Sequence, residues 1–168
     1  MRDPHLHAAL SGRGLLLLPV AMLGPLLASM IGSLFTVPQL AGWYRALNKP
    51  FFTPPDMVFP LVWTFLYALM AVSFWRILRA KPEMGSRKIA ILAFVVQLLL
   101  NVAWSYAFFA RQSPLMGLVV IGALIIAIVI NIRTFLTIDR AAGYALYLYL
   151  AWVSFATLLN VAIVFLNR

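Results

Sequence analysis

The groups in this sequence that could bind a ligand are neutral amides and aromatic rings, and they recur at the spacing of helical turns. Gln97, Asn101 and Ser105 follow one another at intervals of four residues, so on a helix they share one face. Two further faces are rich in rings; they comprise Trp63 and Tyr67, and Tyr149, Trp152, Ala156 and Asn160. Polar groups are costly in an apolar interior unless they meet partners. Two interpretations stay open: the faces tie helices together, or they surround a cavity for a large, flat, mostly apolar ligand.

Few residues in this sequence could support covalent or metal-dependent chemistry. The chain contains no cysteine, which excludes thiolate metal sites and a cysteine nucleophile. The four acidic residues lie outside the apolar stretches or at their ends, and they are Asp3, Asp56, Glu83 and Asp139. Intramembrane proton relays therefore lack their usual groups. His5 and His7 have the spacing of a weak metal chelator, but a solvated tail is the simpler interpretation. The sequence also has no glycine-rich phosphate loop, so we expect binding without a metal, a cofactor or covalent catalysis.

The elements that must position these side chains are membrane-spanning helices. Of the 168 residues, 64% are hydrophobic and 10% charged, which gives more apolar surface than one soluble core could bury. A bilayer core needs about 20 apolar residues per helix. Five stretches meet that length and predict an all-α, integral membrane bundle of five transmembrane helices, at about residues 15–37, 57–77, 89–110, 114–133 and 141–166. Residues 1–14 are predicted to be an N-terminal cytoplasmic extension and 15–168 one transmembrane domain.

The distribution of charge predicts the orientation. Nine basic residues lie at the N-terminus and after the second and fourth helices, namely Arg2, Arg13, Arg76, Arg79, Lys81, Arg87, Lys88, Arg133 and Arg140. Four lie on the other side, namely Arg45, Lys49, Arg111 and Arg168. Because basic loops stay in the cytoplasm, we expect a cytoplasmic N-terminus and, in a bacterial host, a periplasmic C-terminus. A cleaved signal peptide is the rival interpretation of the first stretch, and its length disfavours it. The basic excess suits anionic head groups better than nucleic acid.

The first predicted helix has a smooth face of small residues. Gly24, Ala28 and Gly32 recur every four residues, a pattern that lets another backbone approach closely within a membrane. The face packs either inside the bundle, which is the simpler expectation, or against a second copy of the chain. Pro19 and Pro25 are expected to bend this helix.

The loop at residues 38–56 is too aromatic for an ordinary linker. It includes the run Trp43-Tyr44-Arg45-Ala46-Leu47-Asn48-Lys49-Pro50-Phe51-Phe52-Thr53-Pro54-Pro55. The three prolines of this run restrict the backbone, and its rings supply apolar surface that could fold over the mouth of the bundle as a lid. An anchor lying among the lipid head groups is the alternative.

This loop and three later blocks resemble the TspO/translocator protein family, whose members are also called peripheral benzodiazepine receptors or tryptophan-rich sensory proteins. The loop has the form Trp-Tyr-x-x-Leu-x-Lys-Pro, followed by aromatic residues and Pro-Pro. The later blocks are Phe59-Pro60-Leu61-Val62-Trp63-Thr64-Phe65-Leu66-Tyr67, Gln97-Leu98-Leu99-Leu100-Asn101-Val102-Ala103-Trp104 and Tyr149-Leu150-Ala151-Trp152-Val153-Ser154-Phe155-Ala156-Thr157-Leu158-Leu159-Asn160. Four blocks in order, from about the first helix to the end of the chain, are far more specific than any one of them.

The resemblance implies a five-helix bundle, commonly a homodimer, with a pocket beneath the first loop that receives porphyrins and synthetic aromatic ligands. Carried over by motif position, the ligand-binding residues are Tyr44, Trp63, Tyr67, Asn101, Trp104, Trp152 and Ala156. The pocket lid would include Trp43, Lys49, Pro50, Pro54 and Pro55. The cholesterol motif of animal members needs a basic residue soon after a tyrosine on the last helix. Here Val161 follows Asn160 and no base occurs before Arg168, so cholesterol is a doubtful partner.

Three functions follow from the resemblance. The leading hypothesis is a membrane receptor, sensor or carrier for porphyrins such as protoporphyrin IX and haem precursors. A second, from the enzyme class, is light- and oxygen-dependent porphyrin breakdown with Trp63 and Trp152 as the redox-active rings. A third is a regulatory scaffold in a stress response. Neither histidine is placed to ligate a haem iron inside the bundle, so we expect a metal-free ring to be recognised by shape and stacking.

Overall fold

Five long helices make up most of the chain that this computed structural model describes, residues 12–80 and 84–168. They are α1 (Gly12–Leu40), α3 (Val58–Arg79), α4 (Met84–Ser105), α5 (Pro114–Leu136) and α6 (Arg140–Leu166), with a short α2 (Trp43–Ala46) in the first loop. A π-helical turn, Tyr106–Ala110, continues α4. Each long helix is apolar and long enough to cross a membrane. The predicted all-α bundle of five transmembrane helices is thereby confirmed.

Several helix ends differ from the sequence-based prediction; α3 and α5, for example, run on to Arg79 and Leu136 instead of 77 and 133. α1 runs on to Leu40, through Pro38, whereas its apolar stretch was expected to end at 37. α4 begins at Met84 instead of 89, because polar residues before the apolar stretch continue the same helix. The N-terminal tail with His5 and His7, and most of the predicted extension 1–14, lie outside the described residues. So do Lys81 and Glu83.

The smooth face of α1 packs inside the bundle, as the simpler expectation held. A Cβ atom placed on Gly24 would lie 3.0 Å from Leu98 Cδ1, and one on Gly32 would lie 3.3 Å from Ser105 Oγ. Ala28, between them, is buried. Because α1 and α4 approach this closely, a larger side chain at either glycine would push the two helices apart.

An ion pair joins the two helix ends farthest from the loop. Arg76 Nη2 of α3 lies 2.9 Å from Asp139 Oδ2, and Asp139 also caps α6 by accepting a hydrogen bond from the Ala142 N–H at 3.0 Å. Burial opposes ionisation of this carboxyl, but the Ala142 amide and the Arg76 guanidinium outweigh it and lower the pKa of Asp139 below its usual value. The start of α6 is therefore fixed to the end of α3.

The half of the bundle far from the loop is filled by stacked rings. Phe94 of α4 stacks on Phe74 of α3 with ring centroids 4.2 Å apart, and on Phe135 of α5 at 6.0 Å. Phe94 and Phe135 are buried. We call the opposite end of the bundle, where α1 stops and α3 begins, the loop end.

Candidate ligand-binding cavity

A cavity of about 300 Å³ lies at the loop end, bounded by α1, α3, α4 and α6. Ligand pockets typically span roughly 300–1,000 Å³, so this one is at the small end of the range. Its lining comprises Ser29, Gly32, Ser33, Thr36, Val37, Leu40, Tyr44, Asp56, Phe59, Pro60, Trp63, Tyr67, Asn101, Trp104, Ser105, Phe108, Phe109, Ala156, Leu159, Asn160 and Ile163. The structure thus brings together six of the sequence-predicted binding residues, namely Tyr44, Trp63, Tyr67, Asn101, Trp104 and Ala156.

The floor of the cavity is a hydrogen-bonded cluster around Asn101 of α4. The Tyr67 hydroxyl donates to Asn101 Oδ1 at 2.8 Å, and Asn101 Nδ2 donates to the Tyr149 hydroxyl oxygen at 2.9 Å. Tyr149 is fully buried beneath the cavity. Because an amide group has two N–H donors and a carbonyl oxygen with two lone pairs, Asn101 keeps one donor and one acceptor site for a ligand.

A second amide, Asn160 of α6, holds an aromatic wall in place. The Trp104 indole N–H donates to Asn160 Oδ1 at 3.3 Å, and Asn160 Nδ2 donates to the Pro114 carbonyl oxygen at 2.8 Å. The Trp104 ring stacks on Phe108 with centroids 5.4 Å apart and planes 24° apart. A stacked pair fixed by hydrogen bonds presents a flat surface that does not need to be ordered by a ligand.

The π-helical turn after α4 supplies two lining residues that sequence reasoning missed. The Arg111 N–H donates to the Tyr106 carbonyl oxygen, five residues back, at 2.9 Å. A π turn changes the rotation between successive side chains relative to an α-helix, and Phe108 and Phe109 both reach the cavity. An α-helical spacing rule cannot find such a pair. The sequence carries only the local run of rings as a signal.

The first loop lies against this turn. Trp43 packs edge-on to Phe108 with centroids 5.5 Å apart, and Tyr44 packs on Phe109 at 5.5 Å. Lys49 Nζ lies 4.5 Å from the centre of the Tyr44 ring, a cation–π contact. The loop end of the bundle is therefore covered by rings that contact one another.

The predicted lid prolines shape the turns of this loop. The Pro50 carbonyl oxygen accepts hydrogen bonds from the Thr53 N–H at 3.0 Å and the Thr53 hydroxyl at 2.8 Å. The Pro55 carbonyl oxygen accepts one from the Val58 N–H at 2.9 Å, just where α3 begins. Pro54 lies between the two turns. The backbone is thus held compact over the bundle mouth.

Trp152 is the predicted binding residue that does not line the cavity. Its ring packs on Phe59 at 5.9 Å and on Phe155 at 5.6 Å, and it borders a shallow crevice on the outside of α3 and α6. Phe59 belongs to the cavity lining, so Trp152 lies behind that wall. At about 100° per residue, Trp152 lies only about 40° from the lining residue Ala156 on α6, so its helix face alone does not exclude it. The Phe59 ring lies between Trp152 and the cavity, and helical spacing cannot show such an intervening side chain.

Two further polar parts of the lining lie outside the helix faces that the sequence indicated. Ser29, Ser33 and Thr36 of α1 contribute hydroxyl groups; the Thr36 hydroxyl donates to the Gly32 carbonyl oxygen at 2.9 Å. The serines flank the small-residue face, which sequence reasoning treated as packing alone. Asp56, at the end of the loop, is the other, and no spacing pattern indicated it.

The electrostatics of the mouth involve Tyr44 and Asp56. Burial raises the pKa of the Tyr44 hydroxyl above its usual value, and the negative charge of Asp56 raises it further. Tyr44 therefore stays a neutral hydrogen-bond donor across the physiological range.

Comparison with known proteins decides the family. Residues 21–166 match the model of the TspO/MBR family. The chain belongs to the TspO/MBR family. It is 42% identical over 137 residues to the Tryptophan-rich protein TspO of Chlorobaculum tepidum, covering 81% of this chain and 86% of that protein. It is 38% identical to the Tryptophan-rich protein TspO of Archaeoglobus fulgidus (91% and 98% covered) and 32% identical to the Translocator protein of Homo sapiens (82% and 82%).

The TspO/MBR match contains the whole cavity, because the lining runs from Ser29 to Ile163. The spacing of the amides left two roles open in this TspO/MBR protein, namely tying helices together and lining a cavity. Asn101 and Asn160 both hold neighbouring helices and reach the cavity. Gln97 is fully buried and does not reach it; its Nε2 contacts Met70 Sδ at 3.7 Å, so it ties α4 to α3.

Proposed function

We propose that this TspO/MBR protein is a membrane receptor, sensor or carrier that binds porphyrins and related flat, mostly apolar ligands in the cavity beneath the loop. The observation that carries the proposal is the combination of rigid aromatic walls with an amide floor inside the membrane-spanning part of the chain. The Trp63 and Tyr67 rings lie 5.6 Å apart on one wall, tilted by 34°. The stacked Trp104 and Phe108 rings form another.

These walls favour a planar aromatic guest over a flexible lipid. Ring faces and edges attract other rings beyond the area that they bury, and surfaces held by hydrogen bonds need no ordering on binding. Asn101 offers its spare N–H and lone pair to the polar nitrogens at the centre or edge of such a ligand. The name of the human relative, Translocator protein, agrees with a carrier role.

A titration with protoporphyrin tests the proposal. We expect saturable binding by the purified protein in lipid nanodiscs, followed by the porphyrin's own absorption and fluorescence. Trp63→Ala removes a wall of the cavity and is expected to raise Kd about tenfold, which corresponds to about 1.4 kcal/mol of lost contact. Trp75→Ala is the matched control, because Trp75 lies in the part of α3 far from the loop, where Arg79 covers its ring at 4.3 Å.

Binding that is not saturable, or that is equal in wild type and Trp63→Ala, would contradict the proposal. Where binding holds, porphyrin flux across vesicles containing the protein separates a carrier from a sensor. A carrier accelerates flux in proportion to the protein present, and a sensor leaves it at the rate of plain lipid.

A further inference from the structure

Asp56 adds a negative charge to the lining of this largely apolar cavity. Among the described residues that line the cavity, Asp56 alone is charged. It stands in the loop directly after Pro54 and Pro55 and close before α3, so its carboxylate is at the mouth. No hydrogen bond or salt bridge engages it in the described chain, and it is exposed.

The charge of Asp56 acts on the cavity itself. It contributes to the raised pKa of the neighbouring Tyr44 hydroxyl, so its field reaches another lining group. Lys49, the basic residue of the same loop that contacts a lining ring, lies over Tyr44 and is not part of the lining. Among the described residues, the charge that borders the cavity directly is therefore the Asp56 carboxylate.

We infer that Asp56 sorts the ligands of this cavity by charge, disfavouring flat ligands whose edge at the mouth carries a carboxylate and favouring neutral or cationic edges. Like charges in neighbouring positions repel, and the repulsion is weakened but not removed by partial exposure to water. For a ligand with acidic groups on one edge only, the same charge sets the orientation, with the acidic edge turned away from Asp56. The inference rests on the proposed function only in that the cavity accepts flat aromatic ligands.

Three pyrene derivatives test this independently of porphyrins, and they are pyrenebutyrate, its methyl ester and pyrenemethylammonium. Their binding is followed by energy transfer from tryptophan, in wild type and in Asp56→Asn, which keeps the shape of the side chain. Charges about 8 Å apart at an effective dielectric constant of about 40 interact by about 1 kcal/mol, or about fivefold in Kd. We expect Asp56→Asn to bind the carboxylate about fivefold more tightly and the ammonium about fivefold more weakly. Its affinity for the ester should stay unchanged.

Asp139→Asn is the control, because it removes the same charge at the far end of the bundle and should alter none of the three affinities. The Asp56→Asn effects should also shrink as salt is added. Equal changes for all three pyrenes, or no change for the charged ones, would overturn the inference, as would a failure of all three to bind. Sorting of the pyrenes by a protein that does not bind protoporphyrin would leave the inference standing and remove the proposed function.

Discussion

At the scale of single residues, Asn101 is the group on which the cavity floor depends. One amide bonds two tyrosines from two other helices, and all three groups lie where water and lipid supply few alternative partners. A buried polar group that loses its partner costs more than the bond was worth, because its desolvation is no longer compensated. The floor should therefore tolerate removal of the whole set better than removal of its centre.

Asn101→Leu is expected to destabilise the protein by about 1–3 kcal/mol, because it leaves the Tyr67 and Tyr149 hydroxyls without their partner. Thermal unfolding in detergent should show a lower Tm. Tyr149→Phe alone also lowers it, by stranding the amide N–H. The double variant should lose less stability than the sum of the two. Strictly additive losses would show that the two groups do not depend on each other.

At this scale, spacing could predict which residues share a helix face when they lie one or two full turns apart. Four-residue steps placed Asn101 and Ala156 on faces expected to turn inward, and the resemblance to the family gave them their binding role. Trp152 shares the face of Ala156 by the same spacing, but the Phe59 ring separates it from the cavity, which no spacing rule shows. Asp56 lies in a loop, where no periodicity exists to indicate a direction. The loop contacts came only with the tertiary structure.

At the scale of elements, the tight turn between α5 and α6 depends on a glycine. A Cβ atom on Gly143 would lie 2.6 Å from Leu136 Cγ and 2.9 Å from the Leu136 backbone nitrogen. The Leu136 side chain could rotate away, but its backbone nitrogen belongs to the last turn of α5 and cannot move without disturbing that helix. Only a residue without a side chain lets α6 turn back against α5 at this distance.

Gly143→Ala should therefore destabilise the protein by about 1–3 kcal/mol from overpacking, reduced by the better helix propensity of alanine. Gly122→Ala is the matched control on α5, since a Cβ there meets no atom within 4 Å. Its Tm is expected to stay the same or rise slightly. If both variants melt alike, the close approach at Gly143 does not limit the packing of these helices.

Helix number and order were predictable from the sequence because a bilayer demands long apolar stretches. The ends of the helices were less predictable, because the polar start of α4 and the last turn of α1 extend beyond the apolar stretches. The π-helical turn could not be predicted, because its hydrogen bonds depend on the packing of Tyr106–Ala110 against other parts of the chain. That turn supplies two lining residues, Phe108 and Phe109, and they were missed at the site because the turn itself was not predicted.

At the scale of the whole molecule, the first loop is tied to the end of the chain. Asn167 Oδ1 accepts a hydrogen bond from the Asn48 N–H at 2.9 Å, and Asn167 Nδ2 donates to the Asn48 carbonyl oxygen at 2.9 Å and to the Ile163 carbonyl oxygen at 2.8 Å. The Asn48 side chain adds a longer bond, 3.3 Å, to the Leu166 carbonyl oxygen. Ile163 also lines the cavity. The loop is therefore held to the end of the helix that supplies part of the cavity lining.

The side chains of Asn167 and Asn48 contribute unequally to these contacts, so their roles can be tested without a ligand. Asn167→Ala removes both bonds to the Asn48 backbone, whereas Asn48→Ala leaves those two and removes only the longer one. At about 0.5–1.5 kcal/mol for each bond, amide hydrogen exchange at residues 44–49 should accelerate about tenfold in Asn167→Ala and about threefold or less in Asn48→Ala. Amides around Ala156, in the middle of α6, serve as the internal reference and should keep their protection. Equal acceleration in the two variants would mean that the loop is held by its rings and not by the last helix, and ligand access would then be controlled at Tyr44 and Phe109 instead.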